Sequence, residues 1–201
     1  AKSRWNNPTA WVAREFGLEG PTGIRGLPPG SEPPAWKLTV PDRSEAGEWW
    51  PGFTLNAAIG QGDNMYTPLQ LAGYVATLAN GGDRWVPYVV KEKLLPDGTV
   101  EGVYGPELAG KARISQESME LVRRGMLAVT EPGGTAAWRF SDWRAYGFPV
   151  KTGGKTGTAQ APGISHGLYV GFAPYDNPEL AVAVVIEHGA GGSLAGAPVA
   201  R

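Results

Sequence analysis

The chain of 201 residues contains no cysteine. That excludes disulfides, thiolate metal sites and cysteine nucleophiles. Histidine is nearly as scarce, with only His166 and His188, which rules out a multi-histidine metal centre. Charge of either sign is sparse: 18% of residues are charged, the net charge is −1, and the lysines and arginines are scattered. Neither a nucleic-acid surface nor a polybasic membrane patch fits that balance. No window approaches the roughly 18 apolar residues in a row that a membrane helix needs, and no signal peptide opens the chain. The acidic residues show none of the paired spacing that glycoside hydrolysis calls for, and no fixed period marks an internal repeat.

What is present is a hydrophobic content of 42%, enough for one folded domain with a core, punctuated by 30 glycines and 18 prolines. A first helix is expected with Asn7 as cap, Pro8 at its first position and Gly17 at its stop, presenting Trp11, Val12 and Phe16 on one side. Residues 20–50 are expected to be a long loop rich in proline and glycine, either functional or draped over a larger body, with Trp36, Trp49 and Trp50 as its anchors. Thr67 and Pro68 start a second helix that ends before Gly81-Gly82, with Leu71, Val75 and Leu78 at helical spacing. Residues 85–95 and 99–104 flank Pro96-Asp97-Gly98 as a hairpin. Residues 115–129 read as a third helix, with Met119, Val122, Met126 and Val129 on one stripe. Three strands follow at 154–160, 168–172 and 180–186, with a turn at 175–178, and a final helix begins near Ser193. The almost wholly apolar third strand predicts helices over both faces of its sheet. Helices followed by sequential antiparallel strands predict an α+β domain: an antiparallel sheet flanked by helices, incomplete, with upstream strands and helices missing. The first residues read like mid-domain sequence and the last like a helix cut short, so residues 1–201 are expected to be a fragment.

The feature that carries chemistry is Lys155-Thr156-Gly157-Thr158-Ala159-Gln160. On a strand, such a stretch presents a cation, two hydroxyls and a backbone N–H to a cleft, and a glycine without a side chain allows close approach. A lone Lys-Thr-Gly triplet is weak evidence, and Lys151-Thr152-Gly153 is a second copy four residues earlier. The strand-like extension through Gln160 favours the later copy; the earlier one, followed by Gly154, reads as the turn leading in.

K-T-G is one of the signature motifs of penicillin-binding proteins and related β-lactamases. Residues 56–82 resemble the family's segment from a G-Q-G turn into a T-P-L-Q helix, residues 131–136 its E-x-G-G-T-A loop, residues 166–174 and 180–188 the strands after K-T-G, and residues 11–24 its F-G-L-G-x-x-T-G-I segment. Taken in their order along the chain, these blocks resemble the C-terminal part of the transpeptidase domain of class B penicillin-binding proteins, in the elongation-type form.

The resemblance implies a serine β-lactamase/transpeptidase-like fold and a D,D-transpeptidase that cross-links peptidoglycan stem peptides through a serine acyl-enzyme and is acylated by β-lactams. It implies that Lys155, Thr156, Gly157 and Thr158 are catalytic. Thr156, Thr158, Gln160 and His166 would hold substrate, and the N–H of Thr158 would donate to the oxyanion. His166 has a competing structural role at its strand start; His188 and the Gly60-Gln61-Gly62 turn are expected to be scaffold, and Gly133-Gly134-Thr135 is weighed as a border of the cleft. The tryptophans are expected as core and loop anchors. No cofactor or metal is expected. Implied partners are stem peptides, β-lactams, the remainder of the domain and a membrane glycan polymerase of the SEDS type, on the extracytoplasmic face of the cell membrane.

The nucleophile is the departure. None of the eight serines (3, 31, 44, 115, 118, 141, 165 and 193) has lysine three positions on, and no S-x-N or S-x-D triplet occurs. The chain is therefore expected to be inactive alone. The alternative is a non-catalytic transpeptidase-like binding or scaffold module.

Overall fold

A computed structural model describes residues 8–28, 30–32, 51–62, 64–145, 147 and 150–201. Helix α1 (Pro8–Glu15) opens at the expected proline; its proposed cap Asn7 lies outside the described residues. The chain leaves the helix through Gly17 at φ 77°, a conformation that glycine adopts without penalty. Of the long segment at 20–50, the described part folds back on itself. The amides of Thr22 and Gly23 donate to the Glu32 carboxylate, and Arg25 N donates to Pro87 O at 2.9 Å. Trp36, Trp49 and Trp50, the expected anchors, lie outside the described residues.

Helix α2 (Pro51–Ala58) was not expected. Helix α3 (Pro68–Ala79) starts where the sequence places it, on a complete capping box. Gln70 N donates to Thr67 Oγ1 at 3.2 Å, and Thr67 N donates to Gln70 Oε1 at 2.8 Å. The Gln70 amide also donates to Gly20 O, tying the first loop to the helix.

The single expected hairpin is two ribbons. Strands β2 (Glu92–Leu94) and β3 (Val100–Val103) pair around Pro96-Asp97-Gly98. Outside them, β1 (Asp83–Trp85) pairs with β4 (Leu108–Lys111). Helix α4 (Gln116–Thr130) is capped by Ser115. Met119 and Met126 are buried, but Val122 is 51% exposed, so the expected stripe is narrower than its apolar spacing suggested. Helix α5 (Ala137–Ala145), also unexpected, follows.

Strands β5 (Gly153–Ala159), β6 (His166–Ala173) and β7 (Leu180–Ile186) form an antiparallel sheet in that order. Alternation sends successive side chains to opposite faces. Val170, Phe172 and Ala183 meet Val75, Leu78, Met119 and Met126 of α3 and α4. Tyr169, Val182 and Val184 meet Ala136, Phe140 and Ala197 on the other face. A π-turn at Gly192–Gly196 and helix α6 (Ala197–Ala200) close that second face. The fold is thus the expected α+β arrangement with helices on both faces. Two tryptophans depart from the core assignment: Trp85 and Trp138 are each about half exposed, and Trp138 lies against the Arg139 guanidinium.

Candidate active site

The two Lys-Thr-Gly copies differ at their Thr-Gly pairs, while both lysines are exposed. Thr152 of the first is buried, and its carbonyl accepts from the buried Thr130 Oγ1 at 2.7 Å. Lys151 O accepts from Tyr175 N at 2.8 Å. Gly153 and Gly154 already belong to β5 rather than to a turn. A Cβ on Gly153 would stand 2.5 Å from the Phe172 ring, and one on Gly154 only 1.9 Å from Tyr169 Oη. Thr152 and Gly153 of the first copy are therefore part of the interior, while Lys151 is exposed.

The second copy lies at the sheet margin, because β5 has β6 on one side and no described strand on the other. Lys155 and Thr158 are exposed, Thr156 and Gly157 half-buried. Strand alternation puts Lys155 on the α3–α4 face and the hydroxyls of Thr156 and Thr158 on the face that carries Tyr169. Lys155 Nζ folds onto Thr156 O at 2.7 Å. Thr156 Oγ1 lies 3.4 Å from Thr135 Oγ1, so the Gly133-Gly134-Thr135 loop does meet the motif. That loop needs its glycines: Gly133 has φ 92°, and a Cβ on Gly134 would be 2.1 Å from Ala128 O.

The open edge is partly occupied. Gln61 Nε2 donates to Thr158 O at 2.8 Å, and Gln160 N donates to Gln61 Oε1 at 3.2 Å. Since the Thr158 carbonyl points away from β6, its amide does too, and no hydrogen bond to that amide is found among the described residues. Gln61 was read as scaffold. A polar side chain held between two glycines in a tight turn is the signal in the sequence; its partner 97 residues away is not.

His166 stands opposite Ala159 in the β5–β6 register. Its Nδ1 accepts from His188 N at 3.0 Å, which puts the proton of the neutral ring on Nε2. His188 Nδ1 lies 2.9 Å from Ile164 O, and the two rings meet edge to face at 5.0 Å. The pair closes the β6 and β7 ends, in line with a structural role. A cleft of about 510 Å³ lined by Phe16, Gly20, Gln70, Tyr74, Arg84 and Trp85 opens elsewhere and holds none of the motif residues. Among the described residues, no cluster of His, Asp or Glu could hold a metal, and no helix is long and apolar enough to cross a membrane.

Comparison with known proteins identifies the family. Residues 13–201 match the penicillin binding protein transpeptidase domain. The peptidoglycan D,D-transpeptidase MrdA of Acinetobacter baumannii is 33% identical over 92% of this chain, which spans 29% of that relative. Penicillin-binding protein A of M. tuberculosis, solved as an imipenem acyl-enzyme complex, superposes with a TM-score of 0.69 at 28% identity, covering 95% of this chain and 39% of that one. Penicillin-binding protein PBP2 of Helicobacter pylori, solved in complex with MreC, gives a TM-score of 0.69 at 28% identity, covering 92% of this chain and 32% of its own. The chain thus spans about a third or less of the first curated relatives' length. With the family model matched over nearly all of its residues and the motif on an exposed strand edge, the chain belongs to the penicillin-binding protein transpeptidase domain family.

Proposed function

We propose that these residues form one wall of the acyl-transfer site of a peptidoglycan D,D-transpeptidase, completed by the remainder of the transpeptidase domain. A serine from that remainder attacks the carbonyl of the D-Ala-D-Ala bond, its proton passes to a base there, and terminal D-alanine leaves carrying a proton. The amine of a neighbouring stem peptide then displaces the serine oxygen and forms the cross-link. A β-lactam takes the first step with its ring amide and stops at the acyl-enzyme. In this reaction the Thr158 N–H donates to the oxyanion, where a preorganised donor is worth far more than in water. Lys155 adds positive charge, Gly157 leaves room, Thr156 and Thr158 hold the substrate carboxylate, and Gln160 and His166 border the cleft. The whole protein works at the extracytoplasmic face of the cell membrane, beside a glycan polymerase of the SEDS type and an MreC-like partner.

One observation carries the reading: the later Lys-Thr-Gly copy sits on the open sheet edge with the Thr158 amide turned outward, whereas Thr152 and Gly153 of the earlier copy are committed to the core. Labelled penicillin tests it. The full-length protein is expected to form a covalent adduct, and the 201 residues alone are not. No adduct on the full-length protein at saturating drug would favour a non-catalytic module; a stable adduct on the isolated chain would reveal a nucleophile other than the one proposed.

A further inference from the structure

The geometry points to Gln61 as a positioning residue that fixes the end of the β5 edge and thereby aims the Thr158 N–H; the inference rests on the reading of β5 as the acyl-transfer edge. The turn that carries Gln61 is built before the side chain makes any contact with β5. Gly60 and Gly62 have φ of 77° and 72°. Gln61 N donates to Asn56 O at 2.9 Å, and Gln61 O accepts from Asn64 Nδ2 at 3.0 Å. The backbone of Gln61 is thus held on both sides. Its amide spans the strand edge, giving a proton to Thr158 O and taking one from Gln160 N. These are the two groups flanking Ala159 that a residue of a parallel neighbouring strand would bond. The side chain therefore stands in for one residue of a strand and blocks backbone pairing beyond Thr158.

What stays open on that edge is the Thr158 amide, immediately upstream of the capped pair. A substrate chain laid along β5 can pair up to Thr158 and no further. The peptide plane joining Thr158 to Ala159 is clamped through its carbonyl; the Thr158 N–H lies in the preceding plane, with the Gly157 carbonyl, and is restrained through the Thr158 backbone dihedrals that join the two planes. Orientation of this kind matters more to the transition state than to ground-state binding.

The test uses the full-length protein, a fluorescent penicillin and rapid-mixing measurement of the non-covalent Kd and the acylation rate k2. Gln61→Ala removes both bonds. Gln61→Glu can still accept from Gln160 N but places a carboxylate against the Thr158 carbonyl. Both are expected to lower k2 by about ten- to a hundredfold, the scale of a slightly misplaced group near the chemistry, with Kd changed less than about threefold. Val75→Ala, fully buried on α3, which packs on β6 and β7, serves as a comparison that loses stability without touching the edge. An unchanged k2 in both Gln61 variants overturns the inference. A k2 loss that appears equally in Val75→Ala at matched loss of Tm also overturns it, because the effect is then general destabilisation. If the unaltered protein is not acylated at all, the reading of β5 itself fails, and the inference falls with it.

Discussion

Gly154→Ala is the most demanding single change the structure offers. The methyl would stand 1.9 Å from Tyr169 Oη, 2.4 Å from its Cζ and 2.9 Å from Cε2. Real Cβ atoms do not approach so closely, so the ring must move. It has little room, being 2% exposed, stacked on Phe140 at 5.8 Å and enclosed with Ala136 and Ala197. Forcing extra volume into a close-packed core costs typically 1–3 kcal/mol and sometimes more. With three ring atoms overlapped, about 3 kcal/mol is expected, or about 6–12 °C in Tm for a domain of this size. The comparison is Gly102→Ala, also in a strand but with no atom within 4 Å of the added Cβ, where lost unfolded-state freedom should make the effect neutral or slightly stabilising. Adding Tyr169→Leu to Gly154→Ala removes the obstructing ring, so the pair should cost less than the sum of its parts. Urea and thermal unfolding of the transpeptidase domain measure the unaltered protein, the three single variants and the pair. If Gly154→Ala unfolds no earlier than Gly102→Ala, the argument that Tyr169 claims the space over β5 is wrong.

Two further changes probe other parts of the fold and site. Thr158→Val keeps the backbone amide but removes the hydroxyl proposed to hold the substrate carboxylate. The acylation rate by penicillin should fall by about 10- to 100-fold, as for loss of one hydrogen bond to a charged group, and an unchanged rate would remove Thr158 Oγ1 from the site. Glu15 holds Arg113 through its backbone N at 2.7 Å and through Nε and Nη2 at 3.0 and 2.7 Å. The hydrogen bonds from the Arg113 side chain and backbone lower the carboxyl pKa below its ordinary value. Its contribution to stability is complete above that ordinary value, near 4.5, and is lost as pH falls through the lower folded value. Glu15→Gln should therefore flatten the acid limb of a Tm-against-pH curve, and an unaltered limb would show that the pair is not coupled to folding.

The elements that the sequence marks well are those with local chemistry. Thr67-Pro68 with Gln70, and Ser115 ahead of Met119, are capping signals whose partners sit within one turn, and both helices start there. Helices α2 and α5 lack such signals. In α5, Phe140 is buried while Trp138 faces out, which leaves little apolar period to detect. The ribbon of β1 with β4 escaped notice because three- and four-residue strands rich in charge meet across an intervening hairpin. At the site, the motif was legible and so was its neighbour Thr135, since both occur as short stretches of sequence. The choice between the two Lys-Thr-Gly copies follows in the structure from aromatic side chains on a different strand, and the role of Gln61 from a contact spanning 97 residues.

The tandem copies carry a hazard that the aromatic pair removes. Sliding β5 along β6 by four residues would keep every side chain on its own face and put Lys151-Thr152-Gly153 where Lys155-Thr156-Gly157 now stands, an error that alternation alone cannot detect. The same slip would bring Pro149 and Val150 into the places of Gly153 and Gly154, against Phe172 and Tyr169, where not even a methyl fits. Two aromatic rings thereby act as a ratchet for the hairpin, admitting a single alignment of a pseudo-repeated strand.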